Sequence, residues 1–309
     1  MRSSAPGKII LFGEHAVVYG RPALAVPVTQ VHADVDITAA DSAGIWINAP
    51  DINLHAEVNT LPSDHPIASV IHNLFFISRI SPFPNIDIKI VSTIPVASGL
   101  GSGAAVTVAL TRALSSYINY SMTDEEINSF AYEIEKLHHG TPSGIDNTVV
   151  TYAKPVYFIK GQLIETFTPG KPFTIVIGDT GISAPTKESV GDVRKLWEAD
   201  KAKWEAIFDR VGEIVHKAKS NIESGKWEIL GKLMNQNHAL LQEMTVSSSE
   251  LDNLVSAALN AGALGAKLSG GGRGGNMIAL VEKERAPEIS EALMSAGAKR
   301  TIVTTVTTG

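Results

Sequence analysis

The sequence predicts an α+β protein of two domains. Three observations lead there. Strand-like alternation in the first hundred residues, as in Val31-His32-Ala33-Asp34-Val35-Asp36-Ile37 and Ile86-Ile88-Ile90, is interleaved with runs of helical spacing. Pro169-Gly170-Lys171-Pro172 is the strongest break in the chain. Beyond it the elements read β-α-α-α-β-β-α-β, a split βαβ arrangement with extra helices. The expected domains are residues 1–169 and 170–309.

The elements follow in order. Lys8 to Phe12 is a short apolar strand ended by Gly13-Glu14-His15, and Ala23 to Thr38 is a long one. Ile45-Trp46-Ile47 is a further strand, whereas residues 51–66 are polar and proline-bearing and read as loop. Ile67, Val70, Ile71, Leu74 and Phe75 have helical spacing. A strand from about Ile86 to Val91 leads through a glycine stretch into a helix over 104–117. Thr123 and Glu126 form a capping box that opens the next helix, which Gly140-Thr141-Pro142-Ser143-Gly144 stops. Residues 156–159 and 162–167 read as a hairpin around Lys160-Gly161. In the C-terminal part, Phe173 to Ile177 is a strand, and a helical region from about 186 to 244 breaks at Gly225. Its charged half, Arg194 to Lys219, reads as a solvated helix face. A helix over 249–261, strands at 266–269 and 276–282 flanking a second glycine cluster, a helix at 286–296 and a strand at 300–307 complete the chain.

Composition narrows the function. Hydrophobic residues make up 44% of the 309 and charged residues 19%, the balance of a globular protein with a proper core. The net charge of −6 argues against nucleic acid as a partner, so any phosphate must be bound locally by amides, a few cations or metal. There is no cysteine, which excludes disulfides and thiolate metal sites and suits a cytoplasmic setting. Met1 to Pro6 lacks a signal-peptide core, and no apolar run nears the roughly 18 residues of a membrane helix. A homodimer is compatible with all of this.

Four stretches carry chemistry. Pro95-Val96-Ala97-Ser98-Gly99-Leu100-Gly101-Ser102-Gly103-Ala104 joins a strand to a helix. Its glycines permit a tight bend, and a helix N-terminus supplies unpaired amides and positive dipole, so the stretch suits a phosphate. It lacks the lysine of a Walker loop. Gly99, Gly101 and Ala104 do match the dinucleotide fingerprint, which keeps a dinucleotide-dependent oxidoreductase as an alternative. Lys8 with Glu14 and His15 is the second stretch, able to point into one cleft or to lie as an edge charge and a polar turn. The third contains Glu135, His138, His139 and Asp146. Two carboxylates at a helix end and a tight turn suit Mg2+ binding and hydroxyl activation, while adjacent histidines point to different helix faces and do not suit zinc. The fourth, Lys267-Leu268-Ser269-Gly270-Gly271-Gly272-Arg273-Gly274-Gly275, reads as an anion nest or a flexible hairpin.

Together, Ala5-Pro6-Gly7-Lys8 with Gly13-Glu14-His15, the Pro95–Ala105 stretch and the second glycine cluster resemble, in order, the three motifs of the GHMP kinase family. That family is named for the kinases of galactose, homoserine, mevalonate and phosphomevalonate. Within it, Gly13 to Gly20, His139 to Asn147 and the Asp179–Lys187 region are most similar to the members that phosphorylate mevalonate. The resemblance implies an N-terminal ribosomal protein S5 domain 2-like fold, a C-terminal ferredoxin-like fold, and an active-site cleft where they meet. It implies phosphoryl transfer from ATP, with Mg2+, to the C5 hydroxyl of mevalonate. Asp146 would be the base, and Lys8 would lie next to it and contact the γ-phosphate. Pro95, Ser98, Gly99, Leu100, Gly101, Ser102, Gly103 and Ala104 would bind ATP. Glu14, His15, Thr186 and Gly271, with Lys8 and Asp146, would hold mevalonate, and Glu135 would ligate Mg2+. Gly103 stands where the family usually has a second serine, which implies a weaker or differently placed metal and keeps a non-catalytic homologue as an alternative. Phosphomevalonate or mevalonate 3-kinase activity is the alternative within the family. Arg273 interrupts the second glycine cluster and would add positive charge near the phosphates or point to solvent.

Overall fold

A computed structural model describes residues 1–95, 98–139, 142–163, 165–183 and 186–308. The chain divides into two compact units, Met1–Gly7 with Val31–Val96 and Gly101–Ala153, and Lys8–Gln30 with Ala97–Leu100 and Lys154–Gly309. Two strands, β1 (Arg2–Phe12) and β2 (Ala23–Ala39), pair with each other and contribute residues to both units. Among the described residues no helix is long and apolar enough to cross a membrane.

The first unit sets a sheet beside helices. β2 pairs antiparallel with β5 (Ile86–Ser92), from Ala33↔Ser92 to Ala39↔Ile86. β3 (Ile45–Ala49) runs parallel to β5 and antiparallel to β4 (Leu54–Glu57). The alternation is realised: Val35 and Ile37 of β2 and Ile86, Ile88 and Ile90 of β5 are buried. The helices α1 (Pro66–Ser78), α2 (Ser102–Tyr117), α3 (Asp124–His139) and α4 (Ile145–Tyr152) belong to the same unit, and α2 packs on each of the other three. The capping box before α3 forms in both directions, since Thr123 N–H donates to Glu126 Oε2 at 2.7 Å and Glu126 N–H to Thr123 Oγ1 at 3.2 Å.

In the second unit β2 continues through Ala23–Ala25 against β6 (Val156–Phe158), which pairs with β7 (Glu165–Thr166). Its main sheet contains β8 (Phe173–Asp179), β9 (Gly265–Ser269), β10 (Asn276–Val281) and β11 (Arg300–Val306), in the order β11-β8-β10-β9 with every pair antiparallel. That order is the split βαβ expected from the sequence. Helices α5 (Thr186–Ala199), α6 (Lys201–Glu223), α7 (Trp227–Glu243) and α8 (Ser249–Asn260) lie between β8 and β9 in the chain, and α9 (Ala286–Ser295) between β10 and β11. The charged run is a solvated face: Trp204, Ile207, Phe208, Val211 and Val215 of α6 are buried while most charged neighbours are exposed. α7 approaches β9 through glycine on both sides, for a Cβ on Gly231 would lie 2.1 Å from Leu264 O and one on Gly265 2.1 Å from Gly231 O. This close approach holds β9, and with it Lys267, hard against α7.

Local reasoning departs from the fold in five places. Residues 51–66, read as loop, contain β4 and two short 3-10 turns. α4 had no counterpart in the sequence reading, because Pro142-Ser143-Gly144 precedes it and Thr148, Val149, Val150 and Thr151 are β-branched. Burial of Ile145, Val149 and Val150 overrides that propensity. The 186–244 region breaks at Asp200 as well as near Gly225; the Asp200 carboxylate caps α6 by accepting Lys203 N–H at 3.1 Å. β1 begins at Arg2 rather than Lys8, and β7 is shorter than the hairpin arm expected.

Candidate active site

In the second unit the site begins where β1 ends. Lys8 is buried, and its main-chain N–H donates to Leu100 O at 2.9 Å, which ties the Ser98–Leu100 segment to β1. After Phe12 the chain turns at Gly13, with φ +95°; a Cβ there would sit 2.5 Å from Pro22 O, so only glycine fits. The turn buries Glu14 at 1% exposure and His15 at 5%. The Lys267 ammonium, 0% exposed on β9, donates to Glu14 Oε1 and, at 2.6 Å, to Leu268 O. Phe12 presents its ring 6.0 Å from the same nitrogen. Ser269 Oγ donates to Ile10 O at 2.7 Å, a second link between β9 and β1.

The second glycine turn follows β9. His15 Nε2 donates to Gly271 O at 3.1 Å. Asn276 Nδ2 donates to Ser98 O, so the start of β10 holds part of the first glycine stretch. The Ser98 side chain and Leu100 are buried, while Gly99 is exposed with φ +77°. Lys8, Glu14, His15, Ser98, Gly99, Leu100 and Gly271 are thus brought into one unit. Arg273 does not face solvent alone: its guanidinium pairs with Asp192 of α5 at 2.6 Å.

The first unit holds the remaining described candidates. Gly101, with φ +76°, is the residue before α2, and no side chain caps that helix. Ala105 N–H is the first to reach back to Gly101 O, at 2.9 Å, so the amides of Ser102, Gly103 and Ala104 precede the helical ladder. A Cβ on Gly103 would meet nothing within 4 Å. Pro95 is half-buried, as are Glu135 on α3 and Asp146 in the first turn of α4. The turn that carries Asp146 is fixed by its neighbours. Asn147 Nδ2 donates to Asn128 Oδ1 at 2.6 Å, Thr148 Oγ1 to Gly144 O at 2.6 Å, and Ile145 N–H to Ser143 Oγ at 3.3 Å. Val96, Ala97, Gly140 and Thr141 lie outside the described residues, as do the side chains of His138, His139 and Thr186; the main chain of Thr186 opens α5.

Burial dominates the electrostatics. It pushes the Glu14 carboxyl up, and the attraction of Lys267 opposes that rise. It pushes the Lys267 ammonium down, opposed by Glu14. His15 is lowered to about 4 by burial, with Arg273 and Lys267 adding to the effect and its bond to Gly271 resisting it. His15 is therefore neutral near pH 7. Its bond to a carbonyl puts the proton on Nε2 and leaves Nδ1 as an acceptor, buried with no partner among the described residues.

The sequence includes Lys267 in the fourth stretch without giving it a role, and singles out neither Asn276 nor Asp192. Lys267 alone carried a signal, as a charge between Ala266 and Leu268 in an otherwise apolar strand. The partners of Asn276 and Asp192 are remote in the chain and left no local mark.

Comparison with known proteins covers both units. The GHMP kinases N terminal domain matches residues 67–154 and the GHMP kinases C terminal domain residues 218–299. A mevalonate kinase of Pyrococcus abyssi is 38% identical over 317 residues, covering 96% of this chain and 92% of that protein. The fold is similar to the L. major mevalonate kinase solved in complex with R-mevalonate, with TM-score 0.87 and 29% identity over 100% of this chain and 96% of that one. It is also similar to the Methanococcus jannaschii mevalonate kinase, with TM-score 0.85 and 26% identity over 100% and 98%.

Two outcomes follow from the buried charges. Lys267→Met leaves the Glu14 carboxyl buried without its counter-ion and should cost about 3–5 kcal/mol in urea unfolding. The double variant with Glu14→Gln should recover part of that; a single variant within experimental error of the parent would contradict the pairing. For His15, the unfolded chain takes up a proton below about pH 6.5 that the folded chain refuses until about pH 4. Stability should therefore fall by about 3 kcal/mol as pH drops through that window. His15→Asn should flatten that slope, as read from urea midpoints at pH 7, 5.5 and 4.

Proposed function

The chain belongs to the GHMP kinase family, among its mevalonate kinases, and from that premise we propose that it transfers the γ-phosphoryl group of ATP to the C5 hydroxyl of (R)-mevalonate. The observation that carries this reading is the start of α2: left-handed glycines, no side-chain cap, and amides that precede the helical ladder. Such an end attracts a phosphate through oriented N–H groups and the helix dipole. Pro95, Ser98 to Leu100 and Gly101 to Ala104 are assigned to ATP on that basis. The domain division at 169/170 is likewise a proposal, supported by family matches that fall on either side of it.

In the proposed reaction the C5 oxygen attacks the γ-phosphorus, the bond from that phosphorus to the β–γ bridging oxygen breaks, and ADP leaves. Asp146 receives the hydroxyl proton. A carboxylate suffices as the acceptor when the proton moves late in a loose transition state. Lys8 contributes positive charge toward the γ-phosphate. Glu14, His15, Thr186 and Gly271 hold the alcohol. The neutral His15, donating through Nε2 to Gly271, keeps Nδ1 as the acceptor.

The donor set fits a magnesium ion that arrives with its nucleotide. Among the described residues no three His, Asp or Glu side chains gather as a metal cage. Mg2+ needs none, since it keeps several waters and takes one or two carboxylates plus substrate phosphates. Glu135 would hold it, with water where a hydroxyl at 103 would stand. When bound, it neutralises charge on the phosphates.

The first test is ADP release with mevalonate, phosphomevalonate and galactose offered separately, beside a nicotinamide-binding assay. Mevalonate alone should support turnover. Asp146→Asn should lower kcat by about a hundredfold or more, the weight of a positioned base, while ATP still binds; near-parent turnover removes Asp146 from the role. Gly103→Ser, which has open space for its side chain, should reduce the Mg2+ concentration giving half-maximal rate. An unchanged Mg2+ titration would refute the view that glycine weakens this metal site.

A further inference from the structure

We propose that Arg273 is a positioning residue whose ion pair with Asp192 latches the second glycine turn to α5, holding the Gly271 carbonyl against the ring of His15. The inference rests on the reading of His15 as a contact to the alcohol substrate. It starts from an oddity of sequence. Residues 270–275 are glycine except for Arg273, and Arg273 adopts φ +60°, a left-handed conformation that glycine adopts more cheaply. A long cation at such a position has to be accounted for by its side chain.

The turn has almost no side chains of its own, so its anchors come from elsewhere. Arg273 N–H donates to Val246 O at 2.7 Å, and a Cβ on Gly272 would lie 1.9 Å from that same oxygen. Gly275 N–H donates to Ile182 O at 2.9 Å, and Gly275 O accepts from Thr180 N–H at 2.9 Å and Thr180 Oγ1 at 3.0 Å. These bonds engage the turn through its own main-chain groups. The Arg273 guanidinium carries the turn to a helix, through its 2.6 Å bond to Asp192 Oδ2. The other oxygen of Asp192 accepts from Lys195 at 2.8 Å. Lys195 and Arg273 together hold that carboxyl down at about 2, so it is charged near neutral pH. Upstream of the latch, Gly271 O accepts the Nε2 proton of His15 and so orients the ring whose other nitrogen is left as an acceptor.

Arg273→Gln, Asp192→Asn and the swap Arg273→Asp/Asp192→Arg separate a latch from a mere surface charge. Each single change should raise the KM for mevalonate about fivefold, the weight of one exposed ion pair, with kcat and the KM for ATP within about twofold. The swap should recover most of the loss. Amide hydrogen exchange without substrate reads the same contact independently: Arg273→Gln should speed exchange at Gly275 while amides of β8 stay protected. Unchanged mevalonate KM in both single variants, or a swap as impaired as they are, overturns the proposal. If the parent protein does not turn over mevalonate, the proposed function fails, and the latch is then decided by exchange alone, unchanged protection at Gly275 refuting it.

Discussion

One buried charge pair constrains the second unit. Lys267 and Glu14 are both shut away from water, and neither could be tolerated there without the other. Their bond fixes β9 against the turn at the end of β1. Once that is set, Ser269 reaches Ile10 O, the second glycine turn begins at a defined point, and His15 finds Gly271 O. The pair need not add net stability to have this effect. Its consequence is register, because a shift of β9 by one residue would strand two charges in an apolar interior.

Glycine-rich turns are suited to phosphates because nothing projects from them, and for the same reason they cannot anchor themselves. This chain anchors them from outside. Asn276 holds Ser98 O, Lys8 N–H holds Leu100 O, and the second turn hangs from Val246, Ile182 and Thr180. Every one of these bonds engages a main-chain group. They restrict how far the backbone can wander, while a Cβ on Gly103 or Gly270 would still meet nothing within 4 Å.

The candidate site also shows how differently its acidic groups are treated. Glu14 is sealed and its carboxyl pushed up by burial, whereas Glu135 and Asp146 are half-buried on helices of the first unit. A sealed carboxyl opposite an ammonium is an architectural part that can still present one oxygen; Glu14 Oε2 has no partner among the described residues. Partly exposed carboxylates are the ones fit to meet a proton or a hydrated metal. These carboxylates thus differ in their access to water.

By itself the sequence determined the class of fold, the split βαβ order of strands behind the C-terminal sheet, and the glycine stretches with Lys8, Glu14, His15, Glu135 and Asp146 as the residues to watch. Those features are local: alternation, helical spacing, capping and glycine turns are written in neighbouring residues. What only the tertiary structure decided was partnership. Lys267 meets Glu14 across 253 positions, Asn276 meets Ser98 across 178, and Arg273 meets Asp192 across 81. It also decided that Ile145–Tyr152 is a helix, where β-branched residues argue otherwise and burial prevails. The physical reason is common to all of them: the energy of a buried contact depends on what arrives from the far end of the chain, and no short window of sequence contains it.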